Sequence, residues 1–232
     1  MPEPLVLAVA QPLCQAYDVD ANALAHAATI RSAAARVVVF PELSLTGYEL
    51  DAPAITVNDA RLAPIIEACA ETGTVALVGA PLQGEAGRSH IATLAIDGTG
   101  ATVAYRKVWL DTTESRFSPG EPAVLVVDGW RLGLAICKDT GIAQHACDTA
   151  ALGIDVYLAG TLMLPEEAAI QDARGRRIAT DHQIHVAFAS FAGSTGGDYG
   201  RSAGRSTIGA PTADVLAKAG PDPGDVARAI LG

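Results

Sequence analysis

The chain has 232 residues, of which half are hydrophobic and 18% are charged, and its formal net charge is −10 with a pI near 4.8. This composition supplies enough apolar side chains for one large buried core, so we predict a single domain over residues 1–232, with residues 221–232 as a loose tail. The excess of acidic over basic residues argues against nucleic acid as a partner, because phosphate binding needs clustered lysines and arginines.

The spacing of the cysteines and the first residues of the chain predict where in the cell the protein is found. There is no Cys-x-x-Cys pair and no zinc-ligand spacing among Cys14, Cys69, Cys137 and Cys147, so neither a disulfide framework nor a structural metal is indicated. The start Met-Pro-Glu-Pro lacks the segments of a secretory signal, and no apolar run approaches the roughly 20 residues that span a bilayer. We expect a cytoplasmic protein that does not contact the membrane.

Short apolar segments rich in β-branched residues recur along the chain and predict β-strands. Several are continuous rather than alternating, which is typical of strands that are covered on both faces. The predicted strands are residues 5–10, 37–40, 75–78, 123–127, 132–136, 156–159, 186–190 and 215–217. The predicted helices between them are residues 21–34, 60–71, 144–152 and 166–179.

Turn signals in the middle of the chain predict antiparallel pairing. The sequence Asp97-Gly98-Thr99-Gly100 separates the segments 93–96 and 102–106, which is typical of a hairpin, and Asp128-Gly129 predicts a second turn between strands. The chain therefore predicts an α/β fold with mixed sheets.

Cys137 is a candidate nucleophile, because it ends an apolar strand and precedes a polar turn. Such strand ends, in sheets flanked by helices, hold reactive groups and expose backbone N–H donors. The alternative is a structural role, since free cysteine is among the most buried residue types. A catalytic thiol also needs a base that removes its proton, because the thiolate is the reactive form.

Glu42 and Lys107 each follow a predicted strand and have apolar neighbours. A carboxyl group in apolar surroundings has a raised pKa, which suits a group that accepts and returns a proton, so Glu42 is a candidate base. An ammonium at Lys107 would stabilise a developing oxyanion and help to hold a thiolate. Considered singly, each side chain is more typical of a solvated surface position.

Three segments, in this order, resemble motifs of the nitrilase superfamily, also called carbon–nitrogen hydrolases. They are Phe40-Pro41-Glu42 with Gly47-Tyr48, Tyr105-Arg106-Lys107, and Gly133-Leu134-Ala135-Ile136-Cys137. The resemblance extends from Leu5 to about Leu216. It implies a four-layer αββα sandwich assembled as a homodimer or higher homo-oligomer, with Glu42, Lys107 and Cys137 as a catalytic triad.

The resemblance also assigns roles around this triad. Glu114 occupies the position of an additional active-site glutamate, and Tyr48 is a candidate for substrate binding. The Lys107 ammonium and the backbone N–H of Lys138 would hold the oxyanion after the thiol attacks an amide carbonyl. A thioester would then form and be hydrolysed by water that the glutamate base activates, with no metal or organic cofactor.

The residues after the candidate nucleophile depart from a common family pattern. Many members have an aromatic residue and then an acid, whereas this chain has Lys138-Asp139-Thr140. The Lys138 side chain lowers the thiol pKa, attracts an acidic substrate or points to solvent, and its long flexible stem favours solvent. Because chains that resemble true nitrilases have Cys-Trp-Glu here, we expect a small-molecule amide as substrate, with an N-carbamoyl amine or a nitrile as alternatives.

Hypotheses from other classes compete with this reading. Residues 192–196 loosely resemble the nucleophile elbow of serine hydrolases around Ser194, but α/β-hydrolases place their histidine after the serine, and the last histidine here is His185. An inactive hydrolase fold that acts as a binding or scaffold protein is the second alternative, since a fold alone does not prove activity. His182 and His185 lack a third metal ligand of known spacing, so we expect no metal site.

Overall fold

The computed structural model describes residues 2–84, 87–196 and 199–232. Within these ranges the α-helices are α1 (Val19–Ala33), α2 (Ala63–Thr72), α3 (Ala143–Ala151) and α4 (Ala168–His182). The strands are β1 (Leu5–Ala10), β2 (Val37–Val39), β3 (Val75–Gln83), β4 (Ser89–Asp97), β5 (Gly100–Arg106), β6 (Val124–Val127), β7 (Trp130–Ile136), β8 (Val156–Thr161), β9 (His185–Ser190), β10 (Ala192–Gly193), β11 (Ser202–Ala203), β12 (Thr207–Gly209), β13 (Val215–Lys218) and β14 (Val226–Leu231).

Two six-stranded sheets form the centre of the molecule. The first has the order β14-β1-β2-β3-β4-β5, and the second has the order β13-β12-β9-β8-β7-β6. Three adjacent strands are parallel in each sheet (β1, β2 and β3 in the first, β7, β8 and β9 in the second), and every other pair of neighbouring strands is antiparallel. The prediction of mixed sheets is confirmed, including the hairpin of β4 and β5.

The two sheets pack face to face through an apolar layer. Val37 and Val39 of β2 lie in this layer with Leu134 and Leu158 of the second sheet, and all four are buried. The residue between them, Val38, points to the other face of its sheet. This alternation explains why the strand is apolar throughout, because both of its faces are covered.

Helices cover the outer face of each sheet. Val38 packs in one cluster with residues of α1 and α2, including Ile30 and Ile65. Tyr157 of β8 packs in another cluster with Ile178 of α4 and Ala146 of α3. The layers are therefore helix, sheet, sheet and helix, which confirms the αββα sandwich. No helix in the described ranges has both the length and the apolar character needed to cross a bilayer.

Local chemistry moves several helix boundaries from their predicted positions. The helix α1 begins two residues early, because the Asp18 side chain accepts a hydrogen bond from the Ala21 N–H at 2.9 Å and caps the first turn. Residues 60–62 form a separate 3-10 turn before α2, whose first turn contains Pro64. The helix α2 ends at Thr72, one residue beyond the predicted end, and Gly73 caps it with a left-handed backbone.

The expectation of a loose tail at residues 221–232 is wrong. Strand β14 pairs antiparallel with β1 from Leu5 opposite Leu231 to Ala10 opposite Val226. The Gln11 side chain also donates hydrogen bonds to backbone carbonyls of residues 220 and 222, at 2.9 and 2.7 Å. The glycines, prolines and aspartates of this region form the turn before β14.

Replacing a buried residue of β14 tests this pairing. Leu231 is fully buried, so Leu231→Ala should lower the free energy of unfolding by about 2–5 kcal/mol through lost burial and a cavity. Its neighbour Ile230 is 62% exposed, so Ile230→Ala should change that free energy by no more than about 0.5 kcal/mol. Urea denaturation measures both. Equal, small effects of the two substitutions would contradict the docked strand.

Candidate active site

Four of the predicted site residues meet near the ends of strands. Glu42 follows β2, Lys107 follows β5 and Cys137 follows β7. The Lys107 Nζ lies 2.7 Å from Glu42 Oε1 and 2.6 Å from Glu114 Oε1. Cys137 lines the same cavity as Lys107 and Glu114. Residues that are far apart in sequence thus surround one buried ammonium.

Glycines in both sheets allow the backbone around Glu42 to lie close to the strands. A Cβ atom at Gly160 of β8 would lie only 2.7 Å from the Phe40 carbonyl oxygen and 2.8 Å from the Glu42 amide nitrogen, and one at Gly79 of β3 would overlap the Pro41 carbonyl. The glutamate segment therefore lies between the two sheets at a spacing that leaves no room for a side chain. The Glu42 Oε2 atom is buried and has no well-formed hydrogen bond to any described residue.

The chain turns sharply at Cys137. Its φ angle is 41°, in the left-handed region that residues other than glycine seldom adopt. A short 3-10 turn, Cys137–Gly141, follows directly. The half-buried thiol donates a hydrogen bond to the Leu162 carbonyl, with 3.5 Å between sulfur and oxygen. The strained turn directs the sulfur to the cavity wall.

Asp139 fixes this turn to the segment that contains Lys107. Its Oδ2 atom accepts hydrogen bonds from the Ile136 N–H at 2.9 Å and the Tyr105 hydroxyl at 2.6 Å, and its Oδ1 atom accepts one from the Trp109 N–H at 2.8 Å. Tyr105 and Trp109 flank Lys107 in sequence. This acid is fully buried and was not among the predicted site residues, although its position two residues after the candidate nucleophile was a usable signal.

A histidine completes the hydrogen-bond network behind the turn. The His145 Nε2 atom lies 2.8 Å from the Tyr105 hydroxyl, and its Nδ1 atom lies 2.8 Å from the Tyr157 hydroxyl. Burial lowers the pKa of His145, which favours the neutral ring at neutral pH. This network packs behind the turn, so we treat His145 as structural support.

Burial and nearby charges set the protonation of the cluster. Burial raises the pKa of Glu42 to about 7, an effect that the Lys107 ammonium opposes and the charge of Glu114 reinforces. Burial also raises the pKa of the Cys137 thiol to about 12, and the charge of Glu42 adds to this shift. For Lys107, burial disfavours the ammonium, but its anionic neighbours outweigh burial and raise the pKa. At neutral pH the cluster therefore holds an ammonium, a neutral thiol and a carboxyl group near its midpoint.

A cavity of about 440 Å³ opens beside Cys137, and its wall includes Tyr48, Lys138, Leu162, Met163, Arg174 and Tyr199. The Tyr48 ring meets the Tyr199 ring edge-on, with 5.3 Å between centroids. The Lys138 side chain is 37% exposed, as expected for a side chain that reaches solvent. Its ammonium also donates to the Leu110 carbonyl at 2.9 Å and pairs with Asp111 at 3.2 Å.

The geometry gives no support to the serine hydrolase alternative. Ser194 is exposed and follows the end of β9, whereas His185 begins that strand. At about 3.3 Å per residue, the strand that begins at His185 is itself roughly 17 Å long, and β10 also lies between it and Ser194. In the part of the chain that the structure describes, no group of three His, Cys, Asp or Glu side chains is placed to hold a metal ion.

Removing the Asp139 carboxylate tests its structural role. The Asp139→Ala protein leaves two backbone N–H groups and a hydroxyl without their acceptor, so the free energy of unfolding should fall by about 3 kcal/mol. Asp148→Ala, at an exposed position on α3, is the matched control and should change it by no more than about 0.5 kcal/mol. Chemical denaturation compares the two proteins. A loss of stability no larger than that of the control would contradict this role.

The sequence matches one protein family over nearly its whole length. The carbon–nitrogen hydrolase family model matches residues 6–230. A hydrolase encoded in the pqqF 5′ region of Pseudomonas protegens is 31% identical over 207 residues, which cover 85% of this chain and 72% of that protein.

Solved structures share the fold. Saccharomyces cerevisiae Nit3, a member of branch 10 of the nitrilase superfamily, is 19% identical with a TM-score of 0.87, over 98% of this chain and 90% of that chain. An amidase from Nesterenkonia sp. is 24% identical with a TM-score of 0.85, over the same shares of the two chains. With the family match over nearly its whole length, the chain belongs to the carbon–nitrogen hydrolases of the nitrilase superfamily.

Proposed function

We propose that this carbon–nitrogen hydrolase is an amidase that cleaves a small-molecule amide through a thioester on Cys137. Glu42, Lys107 and Cys137 form the catalytic triad. The observation that carries the proposal is the buried Lys107 ammonium, which bonds to both Glu42 and Glu114 beside the cavity that contains the thiol. Such a cluster supplies a nucleophile, a proton carrier and a fixed positive charge within one small space.

In the first step the Cys137 sulfur attacks the amide carbonyl carbon while its proton passes to Glu42. A free thiolate is scarce at neutral pH, because the thiol pKa is about 12 and that of Glu42 is about 7. Proton transfer must therefore accompany the attack. The Glu42 Oε2 atom, buried and without a well-formed hydrogen bond to a described residue, is the acceptor that suits this transfer.

The carbonyl oxygen becomes an oxyanion in this step. The Lys107 ammonium and the backbone N–H of Lys138, in the first turn after the nucleophile, would stabilise it. Glu114 bonds to the ammonium at 2.6 Å and keeps its position, and Tyr48 forms part of the wall that receives the substrate. Because the raised pKa of Lys107 keeps it charged, its stabilising effect persists across the neutral range.

The intermediate then collapses and the carbon–nitrogen bond breaks. Protonated Glu42 gives its proton to the leaving nitrogen, ammonia or an amine departs, and the acyl group remains on sulfur as a thioester. Water next attacks the thioester carbonyl while Glu42 accepts a proton from it. The second tetrahedral intermediate releases the carboxylic acid and returns the proton to the Cys137 sulfur, with no cofactor needed.

Amides are preferred over N-carbamoyl amines and nitriles as the substrate class. One structure of the Nesterenkonia amidase is a mutant in complex with butyramide, and another has acrylamide added to its active-site cysteine. The present chain shares that fold, and its cavity of about 440 Å³ suits a small amide. These observations support small aliphatic amides as the first compounds to test.

Trapping the acyl group tests the nucleophile. Native protein mixed briefly with a library of small aliphatic amides and quenched in acid should gain the mass of one acyl group on Cys137, with release of ammonia or the amine. Cys137→Ala should lose the adduct and at least about 10⁴-fold in kcat. Cys147→Ala, which removes an exposed cysteine, is the control and should behave as the native protein does. Adducts confined to Cys14, Cys69 or Cys147 would contradict the assignment, as would the absence of any hydrolysis.

The pH dependence of kcat/KM tests Glu42 as the base. Only the ionised carboxylate can accept the thiol proton, so kcat/KM should rise with pH through a midpoint near 7 and then stay level, because Lys107 remains charged. Glu42→Gln should lower kcat/KM by about 10²–10⁴-fold and remove this midpoint. Glu121→Gln, at an exposed position, should keep the native profile. A midpoint near 4.5, the ordinary value for glutamate, would argue against a buried base.

A further inference from the structure

Arg174 is a half-buried cation of α4 that lines the same cavity as Cys137. Its guanidinium makes one long hydrogen bond, from Nη1 to the Thr140 hydroxyl at 3.4 Å. It forms no ion pair with any residue in the ranges that the structure describes. A guanidinium has five N–H donors, so most of its hydrogen-bonding capacity remains available.

The other charged groups of the described cavity wall already have partners. The Lys107 ammonium lies between its two glutamates, and Lys138 pairs with Asp111. The Glu167 carboxylate accepts a hydrogen bond from the Leu164 N–H at 2.9 Å. Among the charged groups of the described wall, Arg174 is thus the one whose N–H donors remain available to bind a ligand.

The Cys137–Gly141 turn leaves space for this guanidinium. A Cβ atom at Gly141 would lie 3.0 Å from the Arg174 Cζ atom, so the absence of a side chain there makes room for the cation. Arg177, on the same helix, donates to the Thr140 carbonyl at 2.9 Å and ties the helix to the turn. A 3-10 helix rises roughly 2.0 Å per residue, which puts Gly141 on the order of 8 Å from Cys137. A short acyl chain or a small amine can span that distance.

We infer that Arg174 binds a carboxylate of the substrate, so the preferred substrates are small amides that carry an anionic group. This inference rests on the proposed amidase function and specifies its substrate class. The planar guanidinium fork matches a carboxylate through two parallel hydrogen bonds. The carboxylate belongs either to the acyl part or to the leaving amine, and matched substrate pairs separate these two sources.

The acyl side is tested with butyramide and succinamic acid, which differ by replacement of the terminal methyl group with a carboxylate. The amine side is tested with N-ethylbutyramide and N-butyrylglycine, which differ in the same way. In the native protein, kcat/KM should favour the anionic member of at least one pair by about 10-fold or more, the usual size of a charged hydrogen bond. The favoured pair identifies the side that bears the carboxylate.

Variants of Arg174 assign the preference to this side chain. Arg174→Gln should bring the ratio of anionic to neutral kcat/KM close to one, mainly through KM. Arg174→Lys should retain part of the preference, because the charge remains but the bidentate geometry is lost. Arg176→Gln removes the same charge from an exposed position of α4 and should keep the native ratio. A preference that survives in Arg174→Gln would overturn the inference, as would equal values for both pairs in the native protein.

Binding to the inactive Cys137→Ala protein separates this inference from the proposed function. Calorimetry should detect succinamic acid or N-butyrylglycine binding at least about 10-fold more tightly than its neutral partner, and Arg174→Gln in this background should abolish the difference. Tight anion binding without turnover in the native protein would refute the amidase and leave the carboxylate site standing. Turnover of neutral amides without any anion preference in binding would refute the carboxylate site alone.

Discussion

A single buried ammonium organises the candidate active site. Lys107 is 1% exposed, and burying a charge is costly unless it is paired and hydrogen-bonded. Its partners are Glu42 and Glu114, which lie at 2.7 and 2.6 Å and come from separate segments of the chain. Because each group depends on the others to offset its burial, the loss of one leaves the remaining charges less well compensated in a medium of low polarity. The cluster is therefore formed as a unit.

The charges of this cluster explain its proton chemistry. One ammonium faces two carboxylates, so a third buried negative charge, on sulfur, would be strongly disfavoured. Burial and the nearby carboxylates accordingly keep the Cys137 proton in place, while Glu42 titrates near neutrality. Under the proposed mechanism the negative charge of the Glu42 carboxylate is replaced by that of the substrate oxyanion. The number of buried negative charges therefore does not increase. The site can then react at neutral pH although Cys137 is not a thiolate before the substrate binds.

The fold supplies the precision that this chemistry needs. The glutamate segment passes between the sheets where Gly79 and Gly160 admit its backbone. Asp139 ties the turn at Cys137 to the residues on either side of Lys107. These supports come from strands and turns whose own backbones are buried and hydrogen-bonded. Catalytic groups held in this way need little rearrangement when a substrate arrives.

Much of the architecture was predictable because apolar strands and turn signals are local features of a sequence. The strand Leu5–Ala10 and the order of the three motif segments led directly to the sandwich and to the residues of the cluster. Strand β14 was missed because a turn rich in glycine, proline and aspartate precedes it and suggested fraying. The bonds of Asp139 and the place of Arg174 beside the cavity could not be predicted, since both depend on contacts between segments distant in sequence.

The protonation of Lys107 tests the central claim most directly. The chain has three lysines, so ¹⁵N-detected NMR of lysine side chains gives a spectrum of few signals that single substitutions assign. If Glu42 and Glu114 surround the ammonium as described, its signal should keep the shift of the charged form at pH 10.5, where an ordinary lysine is about half deprotonated. Deprotonation of Lys107 at or below that pH would contradict the account.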